Sequence, residues 1–183
     1  MKRGLLKQAG REYNPTLRLI FLICLAPVFL LILPFLLVRL GAKLDQWLGL
    51  PAIFPEPYNW IFGVFLILAG LSFAFWANYS QYTIGRGTPV PLMATQQLIV
   101  QPPYTYCRNP MALGAILLYL GVGLLFHSIG AAFLVLVFAS ALLIYIKRIE
   151  EKEMEIRFGQ AYMAYKQRTP FIIPRFQHGS SWH

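Results

Sequence analysis

Two apolar runs, Pro110 to Phe126 and Gly130 to Ile146, are separated only by His127, Ser128 and Ile129. As helices, each covers about 25 Å at about 1.5 Å per residue, close to the roughly 30 Å hydrocarbon core of a bilayer. A connection of turn length predicts an antiparallel hairpin. The start of the first helix then lies beside the end of the second. The polar segments flanking the hairpin are Tyr104-Thr105-Tyr106-Cys107-Arg108-Asn109-Pro110 and Lys147-Arg148-Ile149-Glu150-Glu151, and they are expected to meet at one membrane surface.

The rest of the chain fits this reading. Its 183 residues are 57% hydrophobic and only 13% charged, with the apolar residues gathered in long runs, which makes it a polytopic membrane protein. Leu17 to Val38 and Trp60 to Tyr79 supply two further spans. The expected fold is all-α and integral to the membrane, with about four transmembrane helices, a C-terminal helical hairpin and a cytoplasmic amphipathic tail. Pro27 and Pro34 are expected to kink the first span. The stretch from Gly41 to Pro57, with Trp47, Pro51 and Pro55, reads as a connector on the opposite face. The whole chain reads as a single membrane domain, residues 1–183, with a core over 95–175 and an unstructured tail over 177–183.

Basic residues set the orientation. Lys2, Arg3, Lys7, Arg11 and Arg18 precede or open the first span; Arg86 and Arg108 precede the hairpin; Lys147, Arg148, Lys152, Arg157, Lys166, Arg168 and Arg175 follow it, and only Arg39 and Lys43 fall on the other side. By the positive-inside rule both termini and the polar cluster are cytoplasmic. The net charge of +9 suits anionic headgroups at that surface. Nucleic acid is a poorer partner, because the bases are spread along membrane edges. Residues 1–16 read as a basic interfacial arm, and the first span lacks a small-residue cleavage pattern, so it is expected to remain uncleaved.

Candidate chemistry gathers where the polar segments meet. Asn109 before Pro110 reads as an N-cap followed by a proline at the first helical position. Such a helix mouth offers free N–H donors and a partial positive charge to an anion. Glu150 and Glu151 opposite it suit a cation, so a zwitterion bearing carboxylate and ammonium fits between them. Tyr104 and Tyr106 read either as interfacial anchors or as ligand contacts, and Gly85-Arg86-Gly87 either as an ordinary turn or as a loop covering a cofactor. Beyond the hairpin, Lys147 with Glu151 and Glu153 with Arg157 have i,i+4 spacing, and residues 159–176 read as an amphipathic lid. Cys24 and Cys107 lie too far apart for a disulfide or a metal pattern. His127 is the only histidine outside the last residues, so no metal site is expected. Asp45 and His127 share the outer region, but no serine stands in a nucleophile-elbow pattern.

These segments carry a family resemblance. The run Leu98-Ile99-x-x-Pro102-Pro103-Tyr104-x-Tyr106-x-Arg108-Asn109-Pro110-Met111-x-Leu113-Gly114, then Glu150-Glu151-x-x-Met154-x-x-x-Phe158-Gly159-x-x-Tyr162-x-x-Tyr165 and Pro170, resembles the isoprenylcysteine carboxyl methyltransferase and phospholipid methyltransferase superfamily. The resemblance covers about residues 95–175. It implies an integral membrane methyltransferase using S-adenosylmethionine on a lipidic or prenylated acceptor. It further implies cofactor contacts at Gln96, Gln97, Leu98, Ile99, Tyr104, Asn109, Pro110, Met111, Ala112 and Glu150. Three positions depart from the usual pattern: Asn109 stands where His is more frequent, Ala112 where Tyr is usual, and Pro102 where Gly is usual.

In this reading the Asn109 mouth, with Arg108, holds the methionine carboxylate, and Glu150 takes the ammonium. Tyr104, Pro110 and Met111 line the adenosyl part, and Arg108, Glu151 and Arg148 make up the catalytic set, Glu151 or Arg148 positioning the acceptor. One rival is an NADPH-dependent sterol or enone reductase, which has a similar Arg-(His/Asn)-Pro turn. Another is a scaffold or small transporter, disfavoured by span centres without ionisable residues. The acceptor stays open among phospholipid amine, prenyl carboxylate, quinone precursor and thiol.

Overall fold

The computed structural model describes residues 14–52, 55–85 and 95–175. Most of the basic N-terminal arm, Arg86 and Gly87 of the glycine loop, and the tail over 177–183 lie outside them. Among the described residues every regular element is helical. Helix α1 is built from three consecutive pieces, Pro15–Pro27, a π-helical segment Val28–Ile32, and Leu33–Leu48; α2 is Tyr58–Thr83; α3 is Pro110–Leu125. Helix α4, Ile129–Tyr145, passes through a second π-helical segment, Ile146–Glu150, directly into α5, Glu151–Arg168. Helices Leu22–Leu48, Tyr58–Thr83 and Ile129–Arg168 are long and apolar enough to cross a membrane, and Pro110–Leu125 is a shorter apolar helix. Large apolar side chains such as Leu31, Phe35, Phe65, Phe75, Phe133 and Leu136 point outward, as lipid-facing residues must. The chain is a multi-pass membrane protein.

The shorter α3 lies at the centre of the bundle. Pro110, Ala112, Gly114, Leu118, Tyr119, Gly121 and Gly123 are all buried along it. It packs most extensively against α2, and glycines explain how closely: a Cβ on Gly70 would lie 2.5 Å from the Leu118 nitrogen, and one on Gly114 would lie 2.7 Å from the Ala74 nitrogen. Gly63 and Gly121 repeat the contact seven residues away on each helix, so two antiparallel backbones meet along a small-residue seam. The seven-residue spacing of these glycines stands in the sequence on both helices. In lipid, where apolar side chains gain nothing from being hidden from water, such close packing is a main source of helix association.

Helix α1 differs from its expected form at its C-terminal end. It continues ten residues past Val38, so Arg39, Lys43 and Asp45 are helical and the connector begins only at Gly49, whose left-handed backbone (φ 62°) ends the helix. Asp45 then serves α4: its carboxylate accepts from the Gly130 N–H at 2.6 Å and from the Ser128 hydroxyl, and Ser128 Oγ accepts from Ala131 N–H at 2.9 Å. A carboxylate at a helix N-terminus satisfies otherwise orphaned donors and favours the dipole. Pro34 lacks the N–H that would reach back along the π-helical segment, and Tyr119 of α3 replaces that donor by hydrogen bonding to the Phe29 carbonyl at 2.8 Å.

Helix α2 runs four residues past Tyr79, and this extension carries Ser80 and Gln81 to the polar end of the bundle. There Ser80 Oγ donates to the Pro102 carbonyl at 3.2 Å, holding the connector that precedes α3. Helix α5 bends sharply at Gly159 (φ 53°, ψ −127°), a conformation open to glycine at low cost. The bend returns the last turns of the chain over the mouth of α3.

Candidate active site

The polar segments on either side of the hairpin meet, as the helix lengths require. The Arg108 guanidinium lies 2.7 Å from a Glu151 oxygen, and the other Glu151 oxygen lies 2.8 Å from Lys166 Nζ. The Glu151 side chain is 3% exposed and that of Arg108 is 11%. Both charges are therefore removed from water and depend on each other. The other terminal nitrogen, Arg108 Nη1, donates to the Lys166 carbonyl at 2.7 Å and the Thr169 carbonyl at 3.1 Å, and the guanidinium stands over the Phe171 ring, 5.6 Å from its centre.

Around this pair the returning chain is tied down. Arg108 N–H donates to the Pro170 carbonyl, and Arg175 N–H to that of Tyr106. Asn109 Nδ2 donates to the Phe171 carbonyl at 2.9 Å, so it does not cap α3 as expected. The Asn109 side chain makes no cap hydrogen bond to the first turn of α3. Its Met111 and Ala112 N–H groups stand at the helix mouth with Pro110, which has none to leave unpaired.

Behind the mouth is a small apolar cluster. Tyr104, Ile99, Ala77, Tyr162 and Tyr165 are its buried members, with Leu98, Met111, Met154 and Phe158 packed against them. Tyr165 donates to the Tyr104 carbonyl at 2.7 Å, and Gln81 Nε2 donates to the Tyr104 hydroxyl at 2.6 Å. Burial raises the phenol of Tyr104 well above its usual range and that of Tyr162 to about 12. Cys107, fully buried, is raised by desolvation to about 11 and stays a thiol. Residues 159–175 are thus more than the surface lid expected of them: Tyr162 and Tyr165 belong to the core of this end.

Each expected site residue can now be placed. Gln96 and Gln97 turn beneath α2, with Gln96 N–H donating to the Gly85 carbonyl at 2.7 Å; Leu98 is half-buried and Ile99 buried. Pro110 and Ala112 are buried in the first turn of α3, and Met111 is half-buried. Glu150 ends the π-helical segment, half-buried, and no ion pair engages it among the described residues. Lying past Ile146, the last residue of the apolar stretch, its carboxyl is raised by burial and then by Glu153 nearby. Arg148 is exposed and takes part in no ion pair among the described residues.

The expected Lys147–Glu151 pair does not form. The π-helical segment adds a residue to the turn, leaving Lys147 exposed while Glu151 faces Arg108. Glu153 does pair with Arg157, at 3.6 Å. Among the described residues no group of three or more His, Cys, Asp or Glu could hold a metal ion.

A family model described as phospholipid methyltransferase matches residues 58–161, more than half of the chain. The chain belongs to the phospholipid methyltransferase family. The match opens at the start of α2 and closes one residue before Tyr162, so it spans the glycine seam, the mouth of α3 and both glutamates. Members of this family are membrane methyltransferases, and the all-helical, multi-pass architecture agrees with that. No curated protein matches the chain.

Proposed function

We propose that this phospholipid methyltransferase family member uses S-adenosylmethionine to methylate a lipidic acceptor drawn from the bilayer, with the polar end of the bundle and both termini on the cytoplasmic side. The observation that carries the reading is Glu150: a half-buried carboxylate with no ion pair among the described residues, at the polar end where α3 presents N–H groups that Asn109 does not cap. A burial of this kind costs free energy that a bound cation recovers. The donor and acceptor set therefore fits the amino-acid tail of the cofactor. Glu150 takes the ammonium, and the Met111 and Ala112 N–H groups take the carboxylate. Tyr104, Pro110, Met111 and the strip Gln96 to Ile99 border the remaining part.

In this proposal Arg108 and Glu151 are positioning residues and no longer members of the catalytic set. With both terminal guanidinium nitrogens and both carboxylate oxygens engaged, this pair ties the mouth of α3 to the returning tail. Arg148, exposed beside Glu150 at the membrane boundary, is the group left to meet an acceptor headgroup.

When bound, the cofactor supplies an electrophilic methyl group on a sulfonium centre, which needs no covalent enzyme intermediate. The protein's part is to hold the two partners in line and keep water from the site. Tyr162 and Tyr165, packed over Tyr104, serve the second purpose. Incubating the purified protein with methyl-labelled S-adenosylmethionine and a total lipid extract tests the reading. Mass spectrometry is expected to find label in a lipid fraction; label that stays entirely on the cofactor refutes it.

A further inference from the structure

We infer that Asn78 and Gln81, on the last turns of α2, bind an alkylammonium group within this site. The inference rests on the reading just given and names a further part of the same site. Asn78 Nδ2 donates to the Ala74 carbonyl at 3.0 Å. That carbonyl can only accept, so the orientation of the amide is set, and Asn78 Oδ1 faces the other way. It is buried and has no hydrogen-bond partner among the described residues. Gln81 Nε2 is spent on the Tyr104 hydroxyl, and Gln81 Oε1 is likewise buried and unpartnered. Three residues apart on a helix, the two oxygens share one face.

Their place in the bundle follows from the glycine seam. A Cβ on Gly114 would meet Ala74, so Asn78, one turn further along α2, stands at the level of Pro110 in the first turn of the antiparallel α3. Gln81 is fixed at the same end by Tyr104. Thr105 Oγ1, in the connector, is another buried oxygen with no hydrogen-bond partner among the described residues. Buried amide oxygens are nearly always satisfied, and two left open beside one helix mouth mark a place where a donor is missing.

The chemistry selects the class of ligand. Amide oxygens accept and do not donate, so they repel a carboxylate or phosphate and suit a group carrying several N–H bonds. An alkylammonium has three. Two sources present it here: the amino-acid tail of the methyl donor, and the aminoalkyl headgroup of a lipid acceptor.

The test uses the full chain in detergent with Asn78→Leu, and Asn78→Ala where leucine does not fold. One arm titrates S-adenosylmethionine by calorimetry. The other measures, by native mass spectrometry, the preference for phosphatidylethanolamine over phosphatidylcholine, whose trimethylated nitrogen has no N–H. Removal of a buried, unsatisfied acceptor is expected to raise the melting temperature of the ligand-free protein. It is also expected to lower one of the two binding readouts about tenfold, as loss of a charge-assisted hydrogen bond does. The readout that falls identifies the source. A lower melting temperature means a structural amide and overturns the inference, as does a higher one with both readouts unchanged, the mark of a buried water only. Wild-type protein that binds no S-adenosylmethionine removes the reading of the previous subsection, whereas a variant that binds like wild type removes this one.

Discussion

Glu150→Ala is expected to abolish measurable S-adenosylmethionine binding, a loss of at least about 100-fold, while the helical content stays that of the wild type. The large effect follows from position. Glu150 is half-buried and is paired with no cation among the described residues, so the ligand's ammonium is the group that completes it. Removing the carboxylate breaks no ion pair among the described residues and removes a half-buried acid, so thermal stability is expected to hold or rise slightly. The retained fold separates lost binding from lost structure.

The same residue sets a pH dependence. Burial and then Glu153 raise the carboxyl pKa of Glu150, so its protonated form persists to higher pH than that of an ordinary glutamate. Cation binding requires the ionised form. Affinity is therefore expected to fall as pH drops through that raised pKa and to level off above it, and the Glu150→Gln variant is expected to lose this dependence. Calorimetry across pH reads both effects; an unchanged affinity in Glu150→Ala would remove the residue from the site.

Glu151→Ala, one position on, is expected to act on stability. It strips the counter-charge from Arg108, whose guanidinium stays buried, and such an uncompensated charge costs about 3–5 kcal/mol. The melting temperature is expected to fall on the order of 10 °C. Glu155→Ala is the control, since its pair with Lys166 is made by side chains about one-third exposed, 35% and 32%, and such pairs contribute under about 1 kcal/mol. Replacing Arg108 and Glu151 together by methionine is expected to recover much of the loss, because neither charge is then stranded. Differential scanning fluorimetry on the four proteins tests this; equal melting temperatures for Glu151→Ala and Glu155→Ala would contradict the assignment of Glu151 as the buried strut.

What the sequence made legible is tied to length and pattern. The three residues between the apolar runs imposed the hairpin, and the hairpin brought Arg108 to Glu151 across more than forty residues of chain. What it hid depends on partners in space. Arg39, Lys43 and Asp45 look like the end of a span, yet α1 continues to Leu48, where Asp45 meets the open N-terminus of α4. Asn109 has the form of an N-cap, but its side chain makes no cap bond and its Nδ2 donates to a carbonyl of the returning chain. The Lys147–Glu151 spacing assumes an α-helical turn, and the π-helical segment breaks that assumption. Asn78 and Gln81 resemble ordinary polar residues at a membrane edge; only their burial and missing partners set them apart. The seam of Gly63, Gly70, Gly114 and Gly121 is the one miss that a seven-residue repeat could have announced.

Titration of the wild-type protein with S-adenosylmethionine and, separately, with NADPH tests the whole account most directly. We expect one saturable site per chain for the first and no heat of binding for the second. Binding of NADPH instead, or of neither ligand by a folded protein, would contradict it.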